Sequence, residues 1–277
     1  MDVDVHHPTT HQGLHFLSSL KQQGYTYNQI NTACSALGAI INIGTLSRWG
    51  TLPIVKRFMK GVFESQPFFP KHYFVWDVSS VFNTFRELGD PHQLDLPTLT
   101  KKLCMLLVLL SGGQRCQTIH TIDVFDLIII EDCLCIPIMA KIKQTKPSRH
   151  MEPLKFVPFL KEPKLCVVQH ITQYLKKTAP LRQCSSLFLS YVKPHKAVSR
   201  DTIRRWCKDV LRSSGIDINK YTSHSSRSAA TSKAKQKGIS LTAISKYAGW
   251  SSERTFALHY DKEIVSNKDN VFQLNIM

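Results

Sequence analysis

Three stretches of this chain hold side chains able to manage a phosphate. In "TSHSSRSAATSKAKQKG", His224 and Arg227 stand three residues apart where Thr222 or Ser223 would cap a helix that Gly238 ends. The opening turn of a helix leaves backbone N–H groups unpaired, so two cationic side chains there could cradle an anion. The alternative is a solvated His and Arg. In "ISKYAGWSSERTFALHYDK", Ala248-Gly249-Trp250 ends one helix and Ser251-Ser252-Glu253 starts another. Tyr260 falls on that second helix, ten residues after Trp250. Such a tyrosine is either a packing residue or a nucleophile, and as a nucleophile it needs nearby cations to stabilise the transition state. In "LLVLLSGGQRCQTIHTID", Arg115 follows an apolar run and a glycine pair. Its planar fork suits a phosphate, unless it is simply a surface arginine opening a helix.

The charge balance agrees with an anionic partner. Lys and Arg number 36 against 20 Asp and Glu, a formal net charge of +16. Residues 193–262 carry fifteen basic and five acidic side chains, for +10, whereas residues 1–70 carry five and three, for +2. A polyanion such as nucleic acid would therefore lie against the C-terminal part; a merely soluble basic face is the alternative. Hydrophobic residues make up 43% and charged residues 20%, which excludes a disordered chain. Residues 1–12 are polar, so no signal peptide is expected, and the apolar run Leu103–Leu110 is too short to span a membrane. The eight cysteines include no CxxC pair, so buried thiols are expected and no structural metal site. His6, His7, His11 and His15 could chelate stray metal or belong to a frayed terminus.

The elements that must position these residues are mostly helical. Residues 10–66 read as helices, with Leu14, Leu17 and Leu20 on one apolar face and Gly24 as a stop. The proline- and aromatic-rich stretch 65–80 reads as a connector. Helices are expected around Val78–Leu88 and Leu96–Leu110, the second apolar nearly all round and hence buried, and a new one near Gln114. Residues 122–160 have the β-branched density of strands, with a hairpin turning at Glu131-Asp132 and a third strand in "LKFVPFL". Helices follow around 165–177, 199–213, 226–237, 240–248 and 251–261. The fold class is mostly α with one small antiparallel β-sheet.

Taken in order, "SGGQR", a lysine-bearing turn, His-x-x-Arg, "GW" and a tyrosine resemble the tyrosine recombinase (phage-integrase-like) family. Arg115, His224, Arg227, Trp250 and Tyr260 fall on that family's motif positions, and "IKQTKPSR" corresponds to its β-hairpin lysine, with Lys146 the better match and Lys143 the alternative. The wording of "SGGQRCQT", "HSSRSAATSKA" and "AGWSSERTFALHY" looks closest to recombinases of DIRS-type retroelements and related eukaryotic mobile elements. Two positions depart from the common pattern: Thr118 stands where an acidic residue is frequent, and Trp250 replaces the commoner histidine.

The resemblance implies a helical core-binding, DNA-clamping domain over 10–66, a connector and first helix over 67–96, a catalytic domain over 97–265 and a tail over 266–277. It implies double-stranded DNA as substrate, cut and rejoined through a 3′-phosphotyrosyl bond to Tyr260. Arg115 and Arg227 would clamp the phosphate, His224 would assist, Lys146 would serve as general acid and Trp250 would pack behind. It implies no metal, ATP or other small-molecule cofactor, no membrane partner, a homotetramer assembled on DNA and residence in the nucleus. The apolar tail residues Val271, Phe272, Leu274, Ile276 and Met277 would dock on a neighbouring subunit or fold back. The rival readings are a DNA-binding protein that has lost strand cutting, and a type IB topoisomerase.

Overall fold

A computed structural model describes residues 8–41, 49–67, 73–130, 132–145, 147 and 150–265. The chain divides into two compact units, residues 1–71 and 72–277.

The first unit contains helices α1 (Thr10–Gln22), α2 (Tyr27–Ile41) and α3 (Pro53–Ser65). Thr9 and Gln12 form a capping box at the start of α1, each side chain bonding to the other's backbone N–H. Pro53 opens α3 rather than breaking a helix, because the first turn needs no N–H from it. Leu17, Ile30, Cys34, Trp49, Val55, Met59 and Val62 form the core, with the expected Leu14 and Leu20 packed at its edge. Trp49 lies so close to Gly13 that a Cβ there would sit 2.7 Å from the indole. His11 and His15 belong to α1, while His6 and His7 lie outside the described residues.

The second unit is built around α5 (Leu96–Leu110), which follows α4 (Val78–Glu87) and precedes the short α6 (Cys116–His120). Asp95 caps α5, accepting from the Thr98 N–H at 3.0 Å. Every residue from Lys102 to Leu109 is buried, as an all-round apolar helix requires. The helices α7 (Val167–Thr178) and α8 (Arg200–Ser213) pack on it, and α9 (Ser225–Gln236), α10 (Leu241–Ala248) and α11 (Glu253–His259) complete the unit. Strands β2 (Ile128–Ile130), β3 (Cys133–Ile136) and β4 (Leu154–Phe156) form an antiparallel sheet in the order β2-β3-β4. The architecture is mostly helical with a small antiparallel sheet, as the sequence predicts.

Three features differ from the sequence expectation. The hairpin forms, but the edge strand β2 buries neither face, leaving Ile128, Ile129 and Ile130 all exposed. A short strand β1 (Phe74–Val75) inside the expected connector pairs in parallel with β5 (Glu263–Ile264). The residue at the N-cap of α9 is His224, in helical conformation, rather than Thr222 or Ser223, because the Ser225 hydroxyl donates to the Thr222 carbonyl and closes a turn before the helix. The tail 266–277 lies outside the described residues, as do the readings made on it. Among the described residues, no helix is long and apolar enough to cross a membrane.

Two buried titratable groups make the stability of this core depend on pH. Lys102 donates to the carbonyls of Phe85 at 2.8 Å and Gly89 at 3.1 Å, and burial pulls its pKa down to about 8. His170 on α7 is fully buried and must carry its proton on Nδ1, which faces the Cys166 carbonyl at 2.8 Å. Burial lowers the His170 pKa to about 4, with nearby Lys102 acting in the same direction. The folded pKa lies below the unfolded value, so the unfolded chain binds the extra proton first and stability falls as pH drops from about 6.5 to about 4. The loss attributable to His170 should be on the order of 3 kcal/mol. In His170→Leu the Cys166 carbonyl keeps the backbone bond it already accepts from residue 170 at 3.1 Å. Urea midpoints measured across this pH range should therefore flatten in the variant; an unchanged acid slope would assign it to other groups.

Candidate active site

The turn after α5 begins the site. Gly112 and Gly113 both adopt left-handed backbone, with φ of +79° and +70°, and a Cβ on Gly113 would lie 2.8 Å from the Arg227 Cα. Two glycines thus let this turn pass against α9. Arg115 comes next, at the N-cap of α6. The neighbouring Gln114, named in the sequence only as the place near which a helix should start, ties the turn to α10 through a 2.7 Å bond from Nε2 to the Tyr247 carbonyl.

Arg227 lies in the first turn of α9 and is only 2% exposed. Its Nη1 donates to the Gly113 carbonyl at 2.9 Å and its Nη2 to the Ala248 carbonyl. The guanidinium therefore joins the turn that carries Arg115 to the turn that precedes Trp250. It also sits 4.7 Å from the Trp250 ring centroid and 5.5 Å from that of Tyr260. Burial lowers the Arg227 pKa, and Arg115 adds to that effect while Tyr260 opposes it.

At the other wall, α10 stops on Gly249 in left-handed conformation, which turns the chain into Trp250. Ser252 then caps α11 by accepting from the Arg254 N–H at 3.1 Å. Tyr260 is the C-terminal cap of α11, and its ring stacks on Trp250 with centroids 4.6 Å apart at 27°. Its backbone is held as well. Ser232 on α9 donates to the Tyr260 carbonyl at 2.9 Å and accepts from the Lys262 N–H at 3.1 Å. Ser232 was not singled out in the sequence, where it is one serine among several in "SSRSAATS". Beyond Lys262 the chain pairs as β5 with β1, which fixes the segment on both sides of Tyr260.

Five of the residues expected to act together do converge. Arg115 Nη2 donates to the Tyr260 hydroxyl at 3.4 Å, and the His224 and Tyr260 rings lie 6.1 Å apart. His224 is open to solvent on one edge, yet its pKa is lowered by partial burial first, and then by Arg115, Arg227, Lys143 and Lys262. Lys143 is therefore within electrostatic reach of the site. Lys146 lies outside the described residues. Thr118, at the position where an acidic residue is common, is buried and its hydroxyl has no hydrogen-bond partner among the described residues, Arg115 included. His259 is exposed, with its ring 6.5 Å from that of Tyr260 at 81°.

The sequence matches the phage integrase family over residues 92–264, a span that holds the whole constellation. The chain belongs to the phage integrase family. Its fold is similar to that of the Tn1549 transposon integrase in complex with transposon right-end DNA, at 13% identity and a TM-score of 0.61 over 94% of this chain and 82% of that one. It is also similar to a lambda integrase dimer bound to a COC′ core site, at 16% identity and a TM-score of 0.56 over 98% and 86% of the two chains. A third similar fold is the XerH recombinase bound to its difH substrate, at 11% identity and a TM-score of 0.52 over 88% and 72%. Comparison with curated proteins finds no significant match.

In this phage integrase family member the turn glycine is a sensitive point. Gly113→Ala would place a methyl against the Arg227 backbone in a φ region that alanine rarely adopts. Strain and overlap together should cost about 2–4 kcal/mol. Any retreat of Arg227 would also shift it relative to Arg115 and Tyr260, for an expected loss of about 10²-fold in any strand cleavage that this constellation performs. Thermal unfolding and strand-cleavage assays would measure both, and an alanine variant with native stability and rate would refute the close approach.

Proposed function

We propose that this protein cuts and rejoins DNA strands through a covalent bond between Tyr260 and a DNA phosphate. The observation that carries this reading is the Tyr260 hydroxyl lying 3.4 Å from Arg115 Nη2, with Arg227 beneath its ring. Attack of a phenol oxygen on phosphorus builds negative charge on the non-bridging oxygens, and preplaced guanidinium groups stabilise that charge. Arg115 and Arg227 would clamp the scissile phosphate. The lowered pKa of His224 keeps its imidazole neutral near pH 7, able to hydrogen-bond the phosphate or take the Tyr260 proton. Lys146, or Lys143 in its place, would protonate the departing 5′-oxygen. One P–O bond forms at Tyr260 as the P–O5′ bond breaks, leaving a 3′-phosphotyrosyl ester and a 5′-hydroxyl. A 5′-hydroxyl from a second strand would reverse the step, and because ester replaces ester no external energy source is required.

The wording of the motifs around Arg115, His224 and Trp250 supports a mobile element of the DIRS type as origin. Exchange between two duplexes would use four copies of the chain on DNA, with the helical unit over 10–66 clamping the duplex. A pool of nicked duplexes with randomised cores tests the reading, because the short fragment freed by cleavage at a nick diffuses away and traps the intermediate. The expected result is a protein–DNA adduct stable to denaturation, whose linked peptide contains Tyr260. Retarded duplex with no covalent species would instead indicate a DNA-binding protein without strand cutting.

A further inference from the structure

The cavity beside Tyr260 is lined by more positive charge than one phosphate uses. Besides Arg115, His224 and Arg227, its walls include Arg200 and Arg204 from α8, around a volume of about 160 Å³. These two stand one helical turn apart, so they share a face. Cys207 and Leu211 continue the same stripe farther along α8 and are buried, so the two arginines stand at the exposed start of the packed edge of the helix, where both line the cavity. Among the described residues, no carboxylate lines it. Arg204 meets Asp201 at 3.1 Å in a pair exposed on both sides, which contributes little and can be exchanged for a stronger anion. Arg200 has no carboxylate partner among the described residues.

A single phosphodiester carries one negative charge, and the pair Arg115 and Arg227 already answers it. Two more guanidinium groups around the same small space repel the first pair unless a second anion enters. Arg227, which also lines the cavity, has a buried Nε without a hydrogen-bond partner among the described residues. We propose that Arg200 and Arg204 form a second phosphate subsite, which holds a phosphate next to the scissile one on the same strand and so sets the register in which Tyr260 meets its target. This rests on the reading of Tyr260 as nucleophile. Both arginines act as positioning residues, since neither touches the reacting atoms.

The test pairs Arg200→Ala/Arg204→Ala with DNA in which single phosphates flanking the scissile one are replaced, one at a time, by uncharged methylphosphonate. The probe is a nicked duplex recovered from the covalent capture. Native protein should lose about 10-fold or more in adduct formation at one flanking position. The double alanine variant should lose a similar factor on unmodified DNA and nothing further on that modified duplex, and Arg200→Lys/Arg204→Lys should recover part of the rate. Losses that multiply at every flanking position would overturn the subsite. A second measurement does not depend on cleavage. On plain duplex, the slope of log affinity against log salt should fall by about 1 in the alanine variant; an unchanged slope would overturn the proposal. If native protein forms no adduct but the slope changes, the reading of Tyr260 fails and the anion subsite stands.

Discussion

Tyr260→Phe is expected to abolish covalent capture of DNA while leaving DNA affinity within a few-fold of native. The substitution removes one hydroxyl and little else. The phenyl ring keeps its 4.6 Å stack on Trp250, and Ser232 still donates to the residue 260 carbonyl. The lost contact is the 3.4 Å bond from Arg115, a group only partly buried and therefore still able to hydrate. Stability should consequently change by no more than about 1 kcal/mol. Chemistry is different, because in the proposed mechanism the ester bond forms at that oxygen. The measurement is a denaturing gel of the nicked-duplex reaction alongside a binding isotherm. A Tyr260→Phe variant that still became covalently attached would move the nucleophile to another residue and remove the basis of the proposed mechanism.

Much of this site is legible in the sequence, for reasons that differ by residue. Arg115, His224, Arg227, Trp250 and Tyr260 can be read because each sits at an element boundary that glycine, serine or an apolar run announces, as with Gly112-Gly113 before Arg115 and Ser252 before α11. The long helices are legible from periodicity, α5 most of all. Other features depend on contacts between distant segments, which local patterns do not encode. The pairing of β1 with β5 involves two residues from each strand, with α9 packed against both. Ser232 acts only because α9 passes under Tyr260, and Arg200 and Arg204 matter only because α8 ends its first turn over the same cavity. The Asp/Ser/Thr capping rule works at Asp95, Ser199 and Ser252 but gives the wrong residue for α9. There a preceding turn closed by Ser225 moves the helix start to a histidine that has no side-chain cap to offer.

Arg227→Lys should lower the rate of covalent capture by about 10³-fold and destabilise the fold, although it keeps the charge. A lysine ammonium is a point charge on a flexible stem, whereas the guanidinium at position 227 works as a plane with donors at both corners. One corner holds the Gly113 carbonyl at 2.9 Å and the other the Ala248 carbonyl, while the flat face lies under Trp250 and Tyr260. A lysine Nζ has three donors but occupies one point, so it cannot reproduce the two separated Nη positions that meet these carbonyls, and a buried oxygen that loses its partner costs about 1–3 kcal/mol. Removing one donor aimed at the transition-state charge accounts for about 10²–10³-fold in rate. The remainder comes from the two turns Arg227 joins, since they carry Arg115 on one side and Trp250 on the other, and a small relaxation of either shifts its residue relative to Tyr260. Arg115→Lys makes the comparison informative. Arg115 is only partly buried and bonds no backbone carbonyl among the described residues, so that variant should lose rate without losing thermal stability. If Arg227→Lys and Arg115→Lys proved equally stable and equally slow, Arg227 would be acting on the phosphate alone, and its part in holding the two turns together would have to be given up.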